Sequence, residues 1–409
     1  MTETSKSTYS MYTSPTSLPR PLLDAFRRAY PGHSPDVFVR APGRINLLGG
    51  HVDMHDGFVI NIAINREIWL AAAYGAADLV RIYAADLDES TVLPLKRLDE
   101  KQDVVGNDLP RWAHYPAGVA WALQRRGLKV NGIDVAFLGD VVMRAGLSSS
   151  AAVEEAFAIA WQALEYWQLE RAELAQVGRE AERDYMGIGT GIQDQFTCLH
   201  AREGQVIWLD CRTLEHTYLP FPPSARVVVC DTNTRPELAG SKGSYNGRAQ
   251  DCHDTAHTIG LVDRQVKTLR DVPLSRLEDF EPVLTADQFR RSRHVITEIA
   301  RTHDAVEALQ QGDVAAFGRL MNESYWSARD DYGSSSDVLD AMWSAATQHA
   351  GCFGARYSGG GEAGAIVALV DVAEVEDFIT CTIARYEQST GLTATLFVAE
   401  PAEGAGVFM

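Results

Sequence analysis

The hydrophobic and polar positions of this chain follow two periods, and each period predicts one kind of element. Apolar residues spaced by three and four predict helices with one buried face. They occur over residues 22–30, 111–124, 151–167, 171–185 and 295–321, the last divided into two helices at Gly312-Asp313. Runs rich in Ile, Val and Ala between turn residues predict strands. They occur over residues 36–40, 58–74, 80–93, 130–138, 225–231 and 393–399, and residues 354–370 form a glycine-rich turn that runs into a further strand. This mixture predicts an α+β protein.

Length and composition narrow the class of protein further. A chain of 409 residues is too long for one ordinary core, so we expect two domains. A hydrophobic content of 46% with 22% charged residues is typical of a soluble globular protein. The formal net charge of -18 argues against a nucleic-acid-binding surface, which usually needs a basic face.

The cysteines and the N-terminus indicate where the protein works. Six scattered cysteines without a Cys-x-x-Cys pair are typical of thiols in a reducing compartment. No apolar run is long enough to span a bilayer, and the Ser/Thr/Pro-rich start lacks the apolar core of a signal peptide. We therefore expect a mobile tail over residues 1–20, a cytoplasmic location and no membrane partner.

The helix over 151–167 follows a loop of small residues that suits an anion. The loop reads Arg144-Ala145-Gly146-Leu147 and continues into Ser148, Ser149 and Ser150. The first N–H groups of a helix lack internal partners and carry partial positive charge, so such a loop favours a phosphate. A serine helix cap is the alternative interpretation, and it is the commoner one for an isolated junction of this kind.

Two other polar segments combine glycines with charged side chains. Residues 41–60 form a segment that we interpret as a loop around a small polar ligand. Its polar side chains are Arg44, Asn46, His51, Asp53, His55 and Asp56. Further along, Asp194 follows the glycines of 187–191, where a carboxylate can act as a base or simply cap a helix.

Taken together, six ordered segments resemble the galactokinase branch of the GHMP small-molecule kinases. They are APGRINLLGGHVDMHDGFV, RWAHYPAGV, AGLSSSAAVE, GIQDQF, MNESYWSARDDY and GARYSGGGEAGAIVAL. The resemblance implies a two-domain α+β GHMP fold with the active site in the interdomain cleft. We place the N-terminal domain over residues 21–204 and the C-terminal domain over residues 205–409. The implied reaction transfers the γ-phosphoryl group of MgATP to the anomeric hydroxyl of a galacto-configured sugar.

The resemblance also implies a role for individual residues. Asp194 would be the catalytic base, with Arg44 beside it to stabilise the developing charge. The sugar would contact Arg44, Gly50, His51, Asp53, Gly191, Asp194 and Tyr245. ATP would lie along Ala145, Gly146, Leu147, Ser148, Ser149, Ser150 and Ala151, with Trp112 and Tyr115 in a segment near the adenine. Ser150 and Glu182 would hold Mg²⁺, which prefers hard oxygen ligands.

The chain departs from the family pattern in residues 41–60 (the sugar loop), at the entry to residues 144–150 (the serine loop) and in the last motif. Gly50 stands where galactokinases usually have a Glu near the C6 hydroxyl, so we expect freed space and tolerance of a C6 carboxylate. Val142 and Arg144 replace the usual Pro and Gly, and Arg144 either reaches a phosphate or faces solvent. Glu362 and Ala363 replace an apolar residue and Gly, which predicts a reshaped contact with the serine loop.

Three functions follow from this pattern. The first is a galactose 1-kinase, and the second is a uronic-acid 1-kinase suggested by Gly50. The third is a non-catalytic sugar sensor on the same fold, although a binder would have no need of Asp194 as a base. We expect sugar and ATP as ligands and a monomer or homodimer as the assembly.

Overall fold

The computed structural model describes residues 19–235 and 245–408, and their strands form two sheets. The tail predicted for residues 1–20 lies outside the described residues up to residue 18, whereas Arg20 begins the first helix. The first sheet has eight strands: β1 (Val37–Leu48), β2 (Phe58–Tyr74), β3 (Leu79–Ala84), β4 (Glu89–Pro94), β5 (Ile133–Gly139), β6 (Gln205–Asp210), β7 (His216–Pro220) and β12 (Gly406–Val407). The second has four: β8 (Ala225–Asp231), β9 (Cys352–Tyr357), β10 (Ala365–Asp371) and β11 (Thr395–Ala399).

The long strand β2 organises the first sheet. Its first residues pair with β6 and its last residues pair with β5, while β1 runs antiparallel along its other edge. The strand order is β12-β1-β2-β5-β3-β4, and β3 with β5 is a parallel pair. The second sheet has the order β11-β8-β10-β9 with antiparallel pairing throughout.

Helices cover both sheets. They are α1 (Arg20–Ala29), α2 (His114–Arg125), α3 (Ser149–Glu165), α4 (Arg171–Glu180), α5 (Gln193–His200), α6 (Tyr245–Val262), α7 (Ala286–Gln311), α8 (Val314–Ser327), α9 (Asp337–Thr347) and α10 (Val375–Thr390). Helices α2 to α5 pack together, with α3 against β1 and β2, and α1 buries Leu22 and Phe26 on the other face. Helices α9 and α10 pack on the second sheet, and α7 and α8 reach β1.

The periodic segments are predicted well, and β2 and β8 begin and end where the sequence predicts. The expectation of a loop over residues 41–60 is wrong for its first part. Strand β1 continues to Leu48, with residues 41–48 all buried. The strand is bulged at Pro42 and Gly43, since the register with β2 shifts between Pro42 and Arg44. Buried polar residues in this strand disguise it, because Arg44 and Asn46 break the apolar pattern.

Two predicted helices are interrupted. The segment over 111–124 begins with a separate turn at Arg111–Ala113 before α2. The segment over 171–185 remains α-helical only to Glu180, and residues 181–185 form one turn of π-helix. Such turns often occur at functional sites, and this one carries Glu182.

The division into two domains at residues 204 and 205 stays a prediction. The two sheets, however, separate at a different point in the chain. Strands β6 and β7 follow residue 204 and still pair within the first sheet. Strand β12 also returns to it, with Val407 opposite Val39. The sheet of the C-terminal half therefore begins at β8.

Two further observations concern the described residues as a whole. Within residues 19–235 and 245–408, no helix is both long and apolar enough to cross a membrane. All six cysteines lie in this part and are free thiols, four of them buried.

Candidate active site

A cleft of about 490 Å³ brings most of the predicted site residues together. Its walls come from the end of β1 and the loop after it, the serine loop, the turn before α5, the start of α6 and the turn between β9 and β10. The predicted residues that line it are Arg44, Gly50, His51, Asp53, Gly146, Leu147, Ser148, Ser149, Ser150, Glu182, Asp194 and Tyr245. Distant parts of the sequence therefore converge on one site.

Arg44 and Asp194 form the centre of this cleft. The Arg44 Nε donates to Asp194 Oδ1 at 2.7 Å, and its Nη1 donates to the Gly146 carbonyl at 2.8 Å. The Ser148 hydroxyl donates to Asp194 Oδ2 at 2.5 Å. Both oxygens of Asp194 are thus held, while its side chain remains 18% exposed towards the cleft. The arrangement fixes a carboxylate beside a cation at the entrance of the serine loop.

The serine loop is a turn with left-handed residues at both ends of Gly146-Leu147-Ser148. Gly146 has a φ of 80° and Ser148 a φ of 57°. An added Cβ at Gly146 would overlap the Ser358 carbonyl, so this loop lies directly against the turn after β9. Ser149 and Ser150 begin α3, where free N–H groups attract anions. Ala145 and Ala151 are fully buried and shape the loop from behind.

The sugar-side residues that the sequence predicts also lie together. Asp53 is buried, and a Cβ at Gly191 would overlap its carboxylate, so glycine is required there. Burial and the neighbouring charge of Asp194 raise the pKa of Asp53 to about 6. His51 stacks on Tyr332 with ring centroids 4.4 Å apart and lies 2.9 Å from the Tyr357 hydroxyl. His51 thus connects this polar end of the cleft to buried aromatic rings behind it.

The expectation that Gly50 frees space is wrong. An added Cβ would overlap Nη2 of Arg356, a side chain only 1% exposed. The Arg356 guanidinium donates to the Asn46 carbonyl at 3.0 Å. Glu298 accepts hydrogen bonds from the Gly49 and Gly50 N–H groups at 2.9 and 3.1 Å. The buried Arg356 guanidinium therefore occupies the volume that a side chain at position 50 would need.

The candidate metal ligands Ser150 and Glu182 lie in contact with each other. The Ser150 and Thr190 hydroxyls hydrogen-bond the Glu182 carboxylate, and the Gln195 amide donates to it at 3.2 Å. Burial and the charge of Asp194 raise the pKa of Glu182 to about 7. The nearby Glu154 has one buried oxygen without a partner. This excess of buried carboxylate is what a hard divalent cation would neutralise, so the donor set fits Mg²⁺.

Some lining residues were not expected from the sequence. They are Arg111, Ile188, Thr190, Gln193 and Asn246. Most adjoin a segment that was already singled out, so proximity to a motif is the signal that would have found them.

Among the other predicted residues, Arg144 and Tyr115 line the cleft. Trp112 turns away and donates to Glu89 at 2.6 Å. Glu362 forms an ion pair with Arg248 of α6 at 3.0 Å, and a reshaped contact of this motif with the serine loop stays a prediction.

Comparison with known proteins agrees with this geometry. The model of the galactokinase galactose-binding signature matches residues 24–74. The GHMP kinase N-terminal and C-terminal models match residues 114–202 and 305–383. Galactokinases of Roseiflexus sp. (strain RS-1) and Chloroflexus aurantiacus are each 37% identical, over 95% and 90% of this chain and 97% and 93% of their own.

Solved structures of kinases also resemble this chain in fold. Lactococcus lactis galactokinase complexed with galactose superposes with a TM-score of 0.87 at 27% identity, covering 94% of this chain and 98% of its own. Methanococcus jannaschii mevalonate kinase shares the fold, with a TM-score of 0.61 at 14% identity over 91% and 100% of the two chains. The fold and its cleft thus define a GHMP small-molecule kinase, an enzyme that uses ATP. Within that class, the chain belongs to the galactokinase family.

Proposed function

We propose that this protein is an ATP-dependent galactose 1-kinase of the cytoplasm that requires Mg²⁺. The observation that carries the proposal is the Arg44–Asp194–Ser148 constellation, which joins the sugar end of the cleft to the serine loop. A pure sugar-binding protein has no need for a carboxylate held in this way between cation and hydroxyl. Neither the uronic-acid kinase nor the sensor is favoured by the relatives, which are named galactokinases.

In this proposal the anomeric hydroxyl of galactose donates its hydrogen bond to Asp194. As that oxygen attacks the γ-phosphorus, the bond to the β-phosphate breaks, and the proton passes to Asp194 while ADP leaves. Arg44 stabilises the charge on the attacking oxygen and the transferred group. The transition state is loose, so positioning and charge stabilisation contribute more than proton removal.

The other residues bind and orient the two substrates. Asp53, His51, Gly191 and Tyr245 form the sugar site, where an ionised carboxylate accepts several hydroxyl hydrogen bonds. Residues 145–151 bind the phosphates through the N-terminus of α3. Ser150 and Glu182 would hold Mg²⁺, which supplies charge neutralisation to the phosphates when bound. A domain division near residue 204 and a monomeric or homodimeric state belong to the same proposal.

The position of the new phosphate ester tests this function. The protein is incubated with MgATP and galactose, and the product is examined by ³¹P and ¹H NMR. We expect a single ester whose phosphorus couples to the anomeric proton. A phosphate on another carbon would contradict the proposed orientation of the sugar, and consumption of ATP without any sugar ester would contradict the function.

A further inference from the structure

The turn between β9 and β10 lies at the sugar end of the cleft. The Ser334 hydroxyl donates to the Gly360 carbonyl at 2.6 Å and lies 3.3 Å from His51 Nε2. A Cβ at Gly360 would lie 3.7 Å from the Tyr245 ring. This last glycine-rich turn therefore contacts the proposed sugar site as well as the serine loop.

Glu362 extends from this turn into the cleft. Its Oε1 accepts from Arg248 Nη2 at 3.0 Å, and the same nitrogen lies 3.3 Å from the Gly360 carbonyl. The Arg248 side chain is only 3% exposed, whereas Glu362 is 37% exposed. A buried guanidinium thus holds a carboxylate at the cleft wall. Because an ionised carboxylate has about four acceptor positions, the bond to Arg248 leaves room for a ligand hydroxyl.

Glu362 places in the cleft an acidic group that the chain lacks at Gly50. The family pattern loses an acidic residue at position 50 and gains one at position 362, and both positions line the same cleft. We propose that Glu362 is a specificity-determining residue that accepts a sugar hydroxyl and disfavours anionic sugars. The inference rests on the proposed function and adds to it, since Glu362 would explain a preference for neutral galactose over a uronic acid despite Gly50.

The test replaces Glu362 by Gln, which keeps the shape and a hydrogen-bond acceptor for Arg248 but removes the charge. We expect the dissociation constant for galactose, measured by calorimetry, to rise about tenfold, because hydrogen bonds to charged groups are stronger. We also expect kcat/KM for galacturonate relative to galactose to rise about tenfold. The KM for ATP should stay within about twofold.

Two comparison variants make the result interpretable. Glu387→Gln makes the same chemical change on an exposed position of α10 and should leave every constant at the wild-type value. Glu362→Asp keeps the charge, so it should preserve the preference for galactose even if Glu362→Gln folds poorly.

The outcomes separate this inference from the function on which it rests. Unchanged galactose affinity and sugar preference in Glu362→Gln would overturn the inference while wild-type turnover of galactose upholds the function. A rise in the KM for ATP alone would also overturn it, because Glu362 would then act on the nucleotide. If the wild-type protein phosphorylates no sugar, the proposed function itself fails.

Discussion

Asp194 is the residue on which the proposed chemistry depends most. Arg44 and Ser148 hold its two oxygens, so replacing it by the isosteric Asn should change the geometry little. We expect kcat to fall by a factor of about 10² to 10⁴, the usual contribution of a positioned base. Galactose binding measured by calorimetry should persist.

The matched control is Asp304→Asn, an exposed position on α7, which should retain full activity. Undiminished kcat in Asp194→Asn would contradict the role proposed for Asp194. Loss of galactose binding together with kcat would instead make Asp194 a binding residue.

The pKa of Asp53 gives sugar binding a dependence on pH. Burial and Asp194 raise that pKa to about 6, and the sugar hydroxyls need the ionised form as an acceptor. Protonation therefore competes with galactose, and the affinity should fall up to about tenfold per pH unit as the pH drops below about 6. Calorimetry between pH 5 and pH 8 measures this directly. Asp53→Asn should bind weakly at every pH, and an equally steep profile in that variant would assign the titration to another group.

A substitution at Gly50 tests whether Arg356 fills the space behind the sugar loop. Gly50→Ala places a methyl group against the buried guanidinium, and overpacking of this kind costs about 1–3 kcal/mol. Gly406→Ala is the control, because nothing lies within 4 Å of a Cβ added there. Denaturant unfolding should show a loss of stability only for Gly50→Ala. Equal stability of the two variants would mean that Arg356 moves aside without cost.

At the scale of elements, we expect the contact between the serine loop and the β9–β10 turn to determine the shape of the proposed phosphate site. Gly146→Ala adds a side chain where φ is 80° and where the Ser358 carbonyl already lies. Gly127→Ala has a similar φ of 75° with open space around it. Both changes should cost about 1–2 kcal/mol from the backbone conformation. Only Gly146→Ala should also raise the KM for ATP, and equal KM values would contradict the proposed loop contact.

The elements themselves differ in how far the sequence predicts them. Regular periodicity defines β2, β8 and α3 well, because packing on one or both faces dictates their apolar positions. Strand β1 is underestimated, since its second half carries buried Arg44 and Asn46 for the site rather than for the core. The ion pair of Arg248 with Glu362 joins residues 114 positions apart, and local sequence gives no sign of such a contact.

For the whole molecule, the ordered motifs predict the fold class correctly, and most of the site residues that they imply line one cleft. They do not predict that β12 returns to β1, because a two-residue strand has too little pattern to detect. They also cannot reveal that a buried arginine fills the volume beside Gly50, since that depends on the approach of β9 to the sugar loop. The motifs therefore indicate the chemistry, whereas the surroundings of Gly50 depend on contacts between distant parts of the chain.

The most direct test of the whole account is a coupled ADP-release assay with MgATP and a panel of free sugars. The panel contains galactose, galacturonate, glucuronate, N-acetylgalactosamine, arabinose and glucose. The account predicts turnover with galactose, and a lower kcat/KM for galacturonate. Turnover with galacturonate alone would contradict the substrate assignment and the role of Glu362. ADP release no higher than in the absence of sugar, with galactose still bound, would contradict the assignment as a kinase.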